Sequence, residues 1–213
     1  MNRHLLQVYF IMGTANTPRP LEVLKEALEA KITLFQIREK GEKALKGPAY
    51  EQFARDCQRL CQLYNVPFIV NDDVELAVKL KADGVHIGQD DGSIKEARKR
   101  MNGKWLGISV HSQEEVEQAL KEGADYVGIG PIYPTISKDD ANQPQGTTFL
   151  KQVAKNHPHL PIVAIGGINE KNAPEILAAG ADGVAVISVI CQSQNIKQTV
   201  NSLREKGSSK ILL

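Results

Sequence analysis

The chain has 213 residues, with 26 Lys and Arg against 25 Asp and Glu and no basic run beyond Arg98-Lys99-Arg100, a balance that offers no footprint for nucleic acid or a charged membrane surface. No stretch reaches the roughly 18 apolar residues of a membrane span, and residues 1–6 carry no apolar segment of the secretory kind. The 3 cysteines, an odd number, close no disulfide framework, which points to a reducing cytoplasm. Short β-branched or apolar runs recur along the chain, each followed by an amphipathic stretch, the pattern of parallel strands joined by crossover helices. The predicted strands are 8–12, 34–38, 68–71, 84–87, 106–110, 126–129, 162–165 and 183–187. The predicted helices are 21–30, 50–64, 74–80, 94–100, 114–122, 149–156, 173–179 and 196–203. Together they predict an α/β fold, a single (β/α)₈ TIM barrel over residues 1–213, near the lower end of length for that architecture. Cys57 and Cys61 stand one helical turn apart without a second Cys/His pair, so they are expected to pack rather than bind metal.

Ala82-Asp83-Gly84-Val85, Ala124-Asp125-Tyr126-Val127 and Ala181-Asp182-Gly183-Val184 form a weak internal repeat where a helix gives way to a strand. Chemistry in a barrel sits at the C-terminal strand ends, so these Asp residues are expected on the opposite face, as turn residues. At the productive ends stand Gln36, Arg38 and Lys40 after the second strand, Asn71 and Asp72 after the third, Gln89 and Asp91 after the fourth, and Ser109 after the fifth. Thr135, Ser137 and Lys138 follow the sixth, Gly166 and Gly167 the seventh, Ser188 the eighth.

Period-two alternation turns Gln36, Arg38 and Lys40 into the barrel mouth and Ile37 and Glu39 away from it. A planar guanidinium beside a mobile ammonium suits a polyphosphate, although the same segment also reads as a solvated strand end with Arg38 paired to Glu39. Asp72 and Asp91 put hard oxygen donors on neighbouring strand ends, a set that fits Mg²⁺. Asp73 directly precedes a helix and is expected to cap it; His86, inside a strand, is expected to be packed or hydrogen-bonded. Gly166-Gly167 and Ile187-Ser188 lie where barrels commonly bind phosphate. The long loop 130–148, rich in Pro and Gly and carrying Lys138, is expected to act as a lid.

With these motifs in view, the chain resembles the thiamine-phosphate synthase family from Val8-Tyr9-Phe10-Ile11-Met12 to Ile187-Ser188. The carrying motifs are Gln36-Ile37-Arg38-Glu39-Lys40, Val70-Asn71-Asp72-Asp73, Val85-His86-Ile87-Gly88-Gln89-Asp90-Asp91, Gly130-Pro131-Ile132-Tyr133-Pro134-Thr135 with Lys138, and Ile165-Gly166-Gly167-Ile168. The resemblance implies that Gln36, Arg38, Lys40, Asn71, Ser109 and Lys138 bind an aminopyrimidine pyrophosphate, and that Asp72 and Asp91 hold Mg²⁺. It implies that Thr135, Ser137, Gly167, Ile187 and Ser188 contact a thiazole phosphate, its carboxylated form included. Arg38, Lys40, Ser109 and Lys138 would be the catalytic members. One departure is Ser137, where the family usually carries Thr; the hydroxyl donor is kept and a methyl is lost.

The implied reaction is dissociative. Pyrophosphate leaves, and the thiazole nitrogen captures the pyrimidinylmethyl cation. The expected partners are these two small substrates, with a homo-oligomer left open. The same-fold thiazole tautomerase is usually marked by a His at the place of Pro131. An epimerase or indole-type synthase would need an acid/base group at several strand ends, and a noncatalytic regulator would have no need of Asp72, Asp91 and Lys138.

Overall fold

The alternation of strand and helix closes on itself. The computed structural model describes residues 1–135 and 143–205. Its strands are β1 (Val8–Met12), β2 (Leu34–Ile37), β3 (Phe68–Asn71), β4 (Gly84–Ile87), β5 (Trp105–Val110), β6 (Tyr126–Ile129), β7 (Ile162–Ile165) and β8 (Gly183–Val186). All pair in parallel with their sequence neighbours, and β8 returns to β1, giving a closed eight-stranded barrel. Around it lie α1 (Pro20–Glu29), α2 (Gly47–Leu63), α3 (Val74–Lys79), α4 (Ile94–Arg100), α5 (Gln113–Lys121), α6 (Thr148–Asn156), α7 (Ala173–Ala178), α8 (Ser188–Cys191) and α9 (Ile196–Glu205). Among the described residues no helix is long and apolar enough to cross a membrane.

The helix starts follow local chemistry. Asp73, Ser93 and Ser112 accept from the third-turn-position amides Leu76, Glu96 and Glu115, capping α3, α4 and α5, while Pro20 opens α1. Four helices end alike: Lys31, Asn65, Lys81 and Gly123 take left-handed φ values of 71°, 55°, 52° and 84°. The next amide then bonds back into the last turn, as Ile32 N–H does to Ala27 O and Val66 N–H to Cys61 O.

The strands are buried because both faces are covered. Outward residues such as Phe10, Phe35, Val70 and Val127 join the inner faces of the helices, including Cys57 and Cys61, in the main core. Tyr9, Ile11, Leu34, Ile69, Tyr126, Val163 and Ala185 form a second cluster inside the barrel.

Three strand boundaries differ by one residue from the predicted ones, β5 beginning already at Trp105, and most helix ends shift by one to three residues. β2 ends at Ile37, though the Arg38 amide still reaches Met12 O at 3.0 Å; β8 ends at Val186 because Ile187 turns the chain into α8, a four-residue helix that the sequence pattern did not signal. Met1–Gln7 closes the floor: Arg3 in a 3₁₀ turn holds both oxygens of Asp182, at 2.8 and 2.9 Å, and Pro158 O.

The Ala-Asp repeat has a structural reason. Asp83, Asp125 and Asp182, just before β4, β6 and β8, accept from the amides of Phe68, Leu106 and Ile162 at 2.9, 2.8 and 2.8 Å. Thr33, before β2, does the same for Val8 N–H at 2.9 Å. Each even-numbered strand thus supplies a side chain that satisfies a starting amide of the odd strand before it. All four lie on the N-terminal face, opposite the catalytic rim expected of a barrel. Replacing Asp83, Asp125 or Asp182 by Ala is expected to cost roughly 1–3 kcal/mol of stability each, the usual penalty for stranding a buried donor. Turnover per folded molecule should stay near the parent's. Urea unfolding midpoints read beside steady-state rates check both halves, and a large loss of turnover in a folded variant would contradict the assigned polarity.

Candidate active site

At the C-terminal rim the strand ends surround a cavity of about 560 Å³. Gln36, Arg38, Lys40, Asn71, Asp72 and Asp91 line one side of it. Ser109, Thr135, Gly167, Ile187 and Ser188, together with Gln89 and Gly166, complete the lining drawn from the sequence-derived set. Ser137 and Lys138 lie outside the described residues.

The segment after β2 works as its alternation requires. Glu39, turned from the cavity, accepts from Thr14 N–H, from Thr14 Oγ1 at 2.9 Å and from Leu45 N–H at 2.8 Å. It braces the β1 and β2 loops against each other and so steadies the two cations beside it. That role was not legible in sequence, because its partners are loop residues 25 and 6 positions away.

Lys40 Nζ stands between two carboxylates, 2.6 Å from Asp72 and 3.3 Å from Asp91. Asp72 adopts φ 60°, an uncommon value for a non-glycine residue, held by its amide's 2.8 Å bond to His86 O across the β3–β4 edge. Asn71 Nδ2 donates to Asp72 Oδ2 at 2.6 Å, and Gly88 N–H donates to Asp91 Oδ2 at 3.0 Å. Burial pushes the Asp72 carboxyl up to about 6 against the pull of Lys40, with the charge of Asp91 adding to the rise. For Asp91 burial also works upward, but the hydrogen bond to Asp72, the Lys40 ammonium and the Gly88 amide together bring it below the ordinary carboxylate range. Asp73, the neighbouring duplicate, is spent on the α3 cap at 2.8 Å.

Across the mouth, Gly166 and Gly167 take φ values of 100° and 64°. A Cβ on Gly167 would lie 2.6 Å from Pro134 O, so only glycine lets the β7 loop approach residues 131–134 this closely. Tyr133 N–H bonds Gly166 O at 3.1 Å, and the returning residues Gln145 and Gly146 donate to Pro131 O and Ile132 O. Gln145 Nε2 also reaches His111 O at 2.9 Å, while His111 Nδ1 lies 3.2 Å from Glu115. Neither His111 nor Glu115 belonged to the sequence-derived set, yet both line the cavity.

The floor of the cavity is polar. Gln36 Nε2 donates to the Tyr9 hydroxyl at 2.6 Å, which lies 2.9 Å from that of Tyr126. His86 bridges Tyr126, 3.1 Å from Nδ1, to Ser109 Oγ, 2.9 Å from Nε2. Burial holds both tyrosine hydroxyls well above their usual range, so each keeps its proton.

The chain that builds this rim is similar to known proteins over nearly its whole length. The family model for thiamine monophosphate synthase matches residues 8–190. The chain belongs to that family. It is 64% identical to the thiamine-phosphate synthase of Lysinibacillus sphaericus, over 99% of this chain and 100% of that one. It is 54% identical to the enzyme of the same name from Geobacillus thermodenitrificans, over 93% of this chain and 90% of that one. Among solved structures, the thiamine phosphate pyrophosphorylase of Pyrococcus furiosus superposes with a TM-score of 0.85 at 34% identity, covering 96% of each chain. Its activity is accordingly that of a transferase, thiamine-phosphate synthesis.

The ammonium's place between the carboxylates has a titration consequence. Lys40 favours the ionised form of Asp72, so Lys40→Met should raise the Asp72 pKa above its value of about 6. Carboxyl ¹³C NMR of the metal-free chain follows this directly: an inflection that stays put or moves down in the variant would show that the ammonium does not govern the pair.

Proposed function

We propose that this cavity joins an aminopyrimidine pyrophosphate to a thiazole phosphate with Mg²⁺ held by Asp72 and Asp91. The observation that carries the proposal is the Lys40 ammonium between two carboxylates on adjacent strand ends, 2.6 and 3.3 Å away. The protein's own cation occupies a place built for positive charge. The donor set suits Mg²⁺: two carboxylates and, among the described residues, no cluster of three His, Cys, Asp or Glu side chains, which leaves the remaining positions to water and substrate phosphate. When bound, the ion would supply charge neutralisation for the departing pyrophosphate.

Arg38 and Lys40 grip the pyrophosphate, the guanidinium by its planar fork and the ammonium as a movable charge. Gln36, Asn71 and Ser109 orient the pyrimidine end from the cavity floor and its edge. On the far side Thr135, Gly167, Ile187 and Ser188 receive the thiazole phosphate, a role the family resemblance also assigns to Ser137. The C–O bond to pyrophosphate breaks, the exocyclic carbon becomes cationic, and the thiazole nitrogen's lone pair forms the new C–N bond. No proton moves, which fits a rim of cations, carboxylates and hydroxyls. Catalysis on this reading is the stabilisation of leaving-group charge, to which Lys138 contributes from the loop after β6.

Incubating the chain with both substrates and Mg²⁺ should yield thiamine phosphate and pyrophosphate in equal amounts, and exhaustive chelation should abolish both. Full turnover without a divalent ion would remove Asp72 and Asp91 from the metal role. Lys138→Ala should lower kcat by about 10²–10³, the usual cost of one lost donor to a developing anion, while thiazole-phosphate binding changes little. A rate within about threefold of the parent would place Lys138 outside the chemistry.

A further inference from the structure

We infer that Tyr9, Tyr126 and His86 form a positioning relay that couples the hydrogen-bonding state of Gln36 to that of Ser109, so that the two always present complementary groups to the pyrimidine. The inference rests on the reading of the cavity as a pyrimidine pyrophosphate site.

Each link has a single proton to give. Gln36 Nε2 donates to Tyr9, so Tyr9 passes its own proton to the Tyr126 hydroxyl 2.9 Å away. Tyr126 then donates to His86 Nδ1 at 3.1 Å, which puts the proton of the neutral imidazole on Nε2, aimed at Ser109 Oγ at 2.9 Å. Ser109, having accepted, keeps its hydroxyl proton for the cavity. Gln36 Oε1 makes no hydrogen bond among the described residues and is an acceptor for the cavity that Gln36 lines.

Rotating the Gln36 amide reverses every link together: Gln36 would then offer N–H and Ser109 a lone pair. One end accepts whenever the other donates. The direction set by the Gln36 amide suits a ring that gives an amino N–H at the Gln36 end and takes a proton at the Ser109 end, and it disfavours an oxo-pyrimidine, whose edge reverses that pattern.

The barrel makes room for the relay. His86, Gly107 and Tyr126 are in register across β4, β5 and β6. A Cβ on Gly107 would lie 2.2 Å from Tyr126 Cζ and 2.5 Å from His86 Nδ1, and one on Gly128 would lie 3.2 Å from His86 Cε1. Glycine inside a strand weakens it, and here both clear the space that the two rings fill, 5.5 Å between centroids.

Two measurements test the relay. The first needs no substrate: ¹⁵N NMR of the free chain should show His86 neutral, protonated on Nε2 and accepting at Nδ1. An Nδ1–H tautomer or an imidazolium at neutral pH overturns the assigned direction, whatever the chain's activity. The second uses Tyr9→Phe, Tyr126→Phe and the double variant, each first shown to be folded. Either single change should cut kcat/KM for the aminopyrimidine pyrophosphate by roughly 10–100-fold, the range for stranded buried polar groups. Preference over the oxo analogue should shrink in parallel, with KM for thiazole phosphate unmoved. Because a chain is broken by one gap, the double variant should be no worse than about threefold below the worse single one. Losses that multiply, or an unchanged preference, overturn the coupling. A parent that makes no thiamine phosphate counts instead against the proposed function, which the NMR result does not touch.

Discussion

Closing eight short parallel strands constrains everything else in this molecule. Parallel pairing sends all eight C-terminal ends to one rim, and the pleat turns alternate residues into a shared interior. The ladder at its start depends on groups that the strands themselves cannot supply, and Thr33, Asp83, Asp125 and Asp182 supply them. With the floor tied down, the rim loops carry the chemistry. Stability and the cluster of charged side chains are thereby placed at opposite ends of the same strands.

At that rim the Lys40 ammonium sits between the carboxylates of Asp72 and Asp91. Asp72 is raised by burial and restrained by Lys40, so its charge depends on the positive group beside it. Its left-handed backbone, held through the His86 carbonyl, aims it at Lys40 and Asp91 rather than along the strand. His86 therefore serves the site twice, through its carbonyl to the carboxylate pair and through its ring to Ser109.

Much of this was legible in the sequence because it depends on local periodicity. Eight short apolar runs with amphipathic partners specify parallel strands and crossovers, and the strand-end rule then brought Arg38, Lys40, Asp72, Asp91, Ser109 and Ser188 into one set that lines one cavity. Asp73 as a helix cap follows from its place before an apolar helical run. What stayed hidden depends on contacts between distant segments. Tyr9 and Tyr126 are 117 positions apart and read singly as apolar strand residues; only barrel closure turns them into a polar pair. The loop partners of Glu39 emerge only when β1 and β2 lie side by side. The short helix α8 escaped because four residues show no helical period.

On the proposed function, a metal ion and a pyrophosphate take over the place now held by the Lys40 ammonium. The most direct measurement is a crystal structure of the chain with Mn²⁺ and inorganic pyrophosphate, with the ion located by its anomalous scattering. The expected result is one ion bonded to both Asp72 and Asp91, with Lys40 and Arg38 moved onto the pyrophosphate oxygens. An ion bound elsewhere, or Lys40 still seated between the two carboxylates with pyrophosphate present, would contradict it.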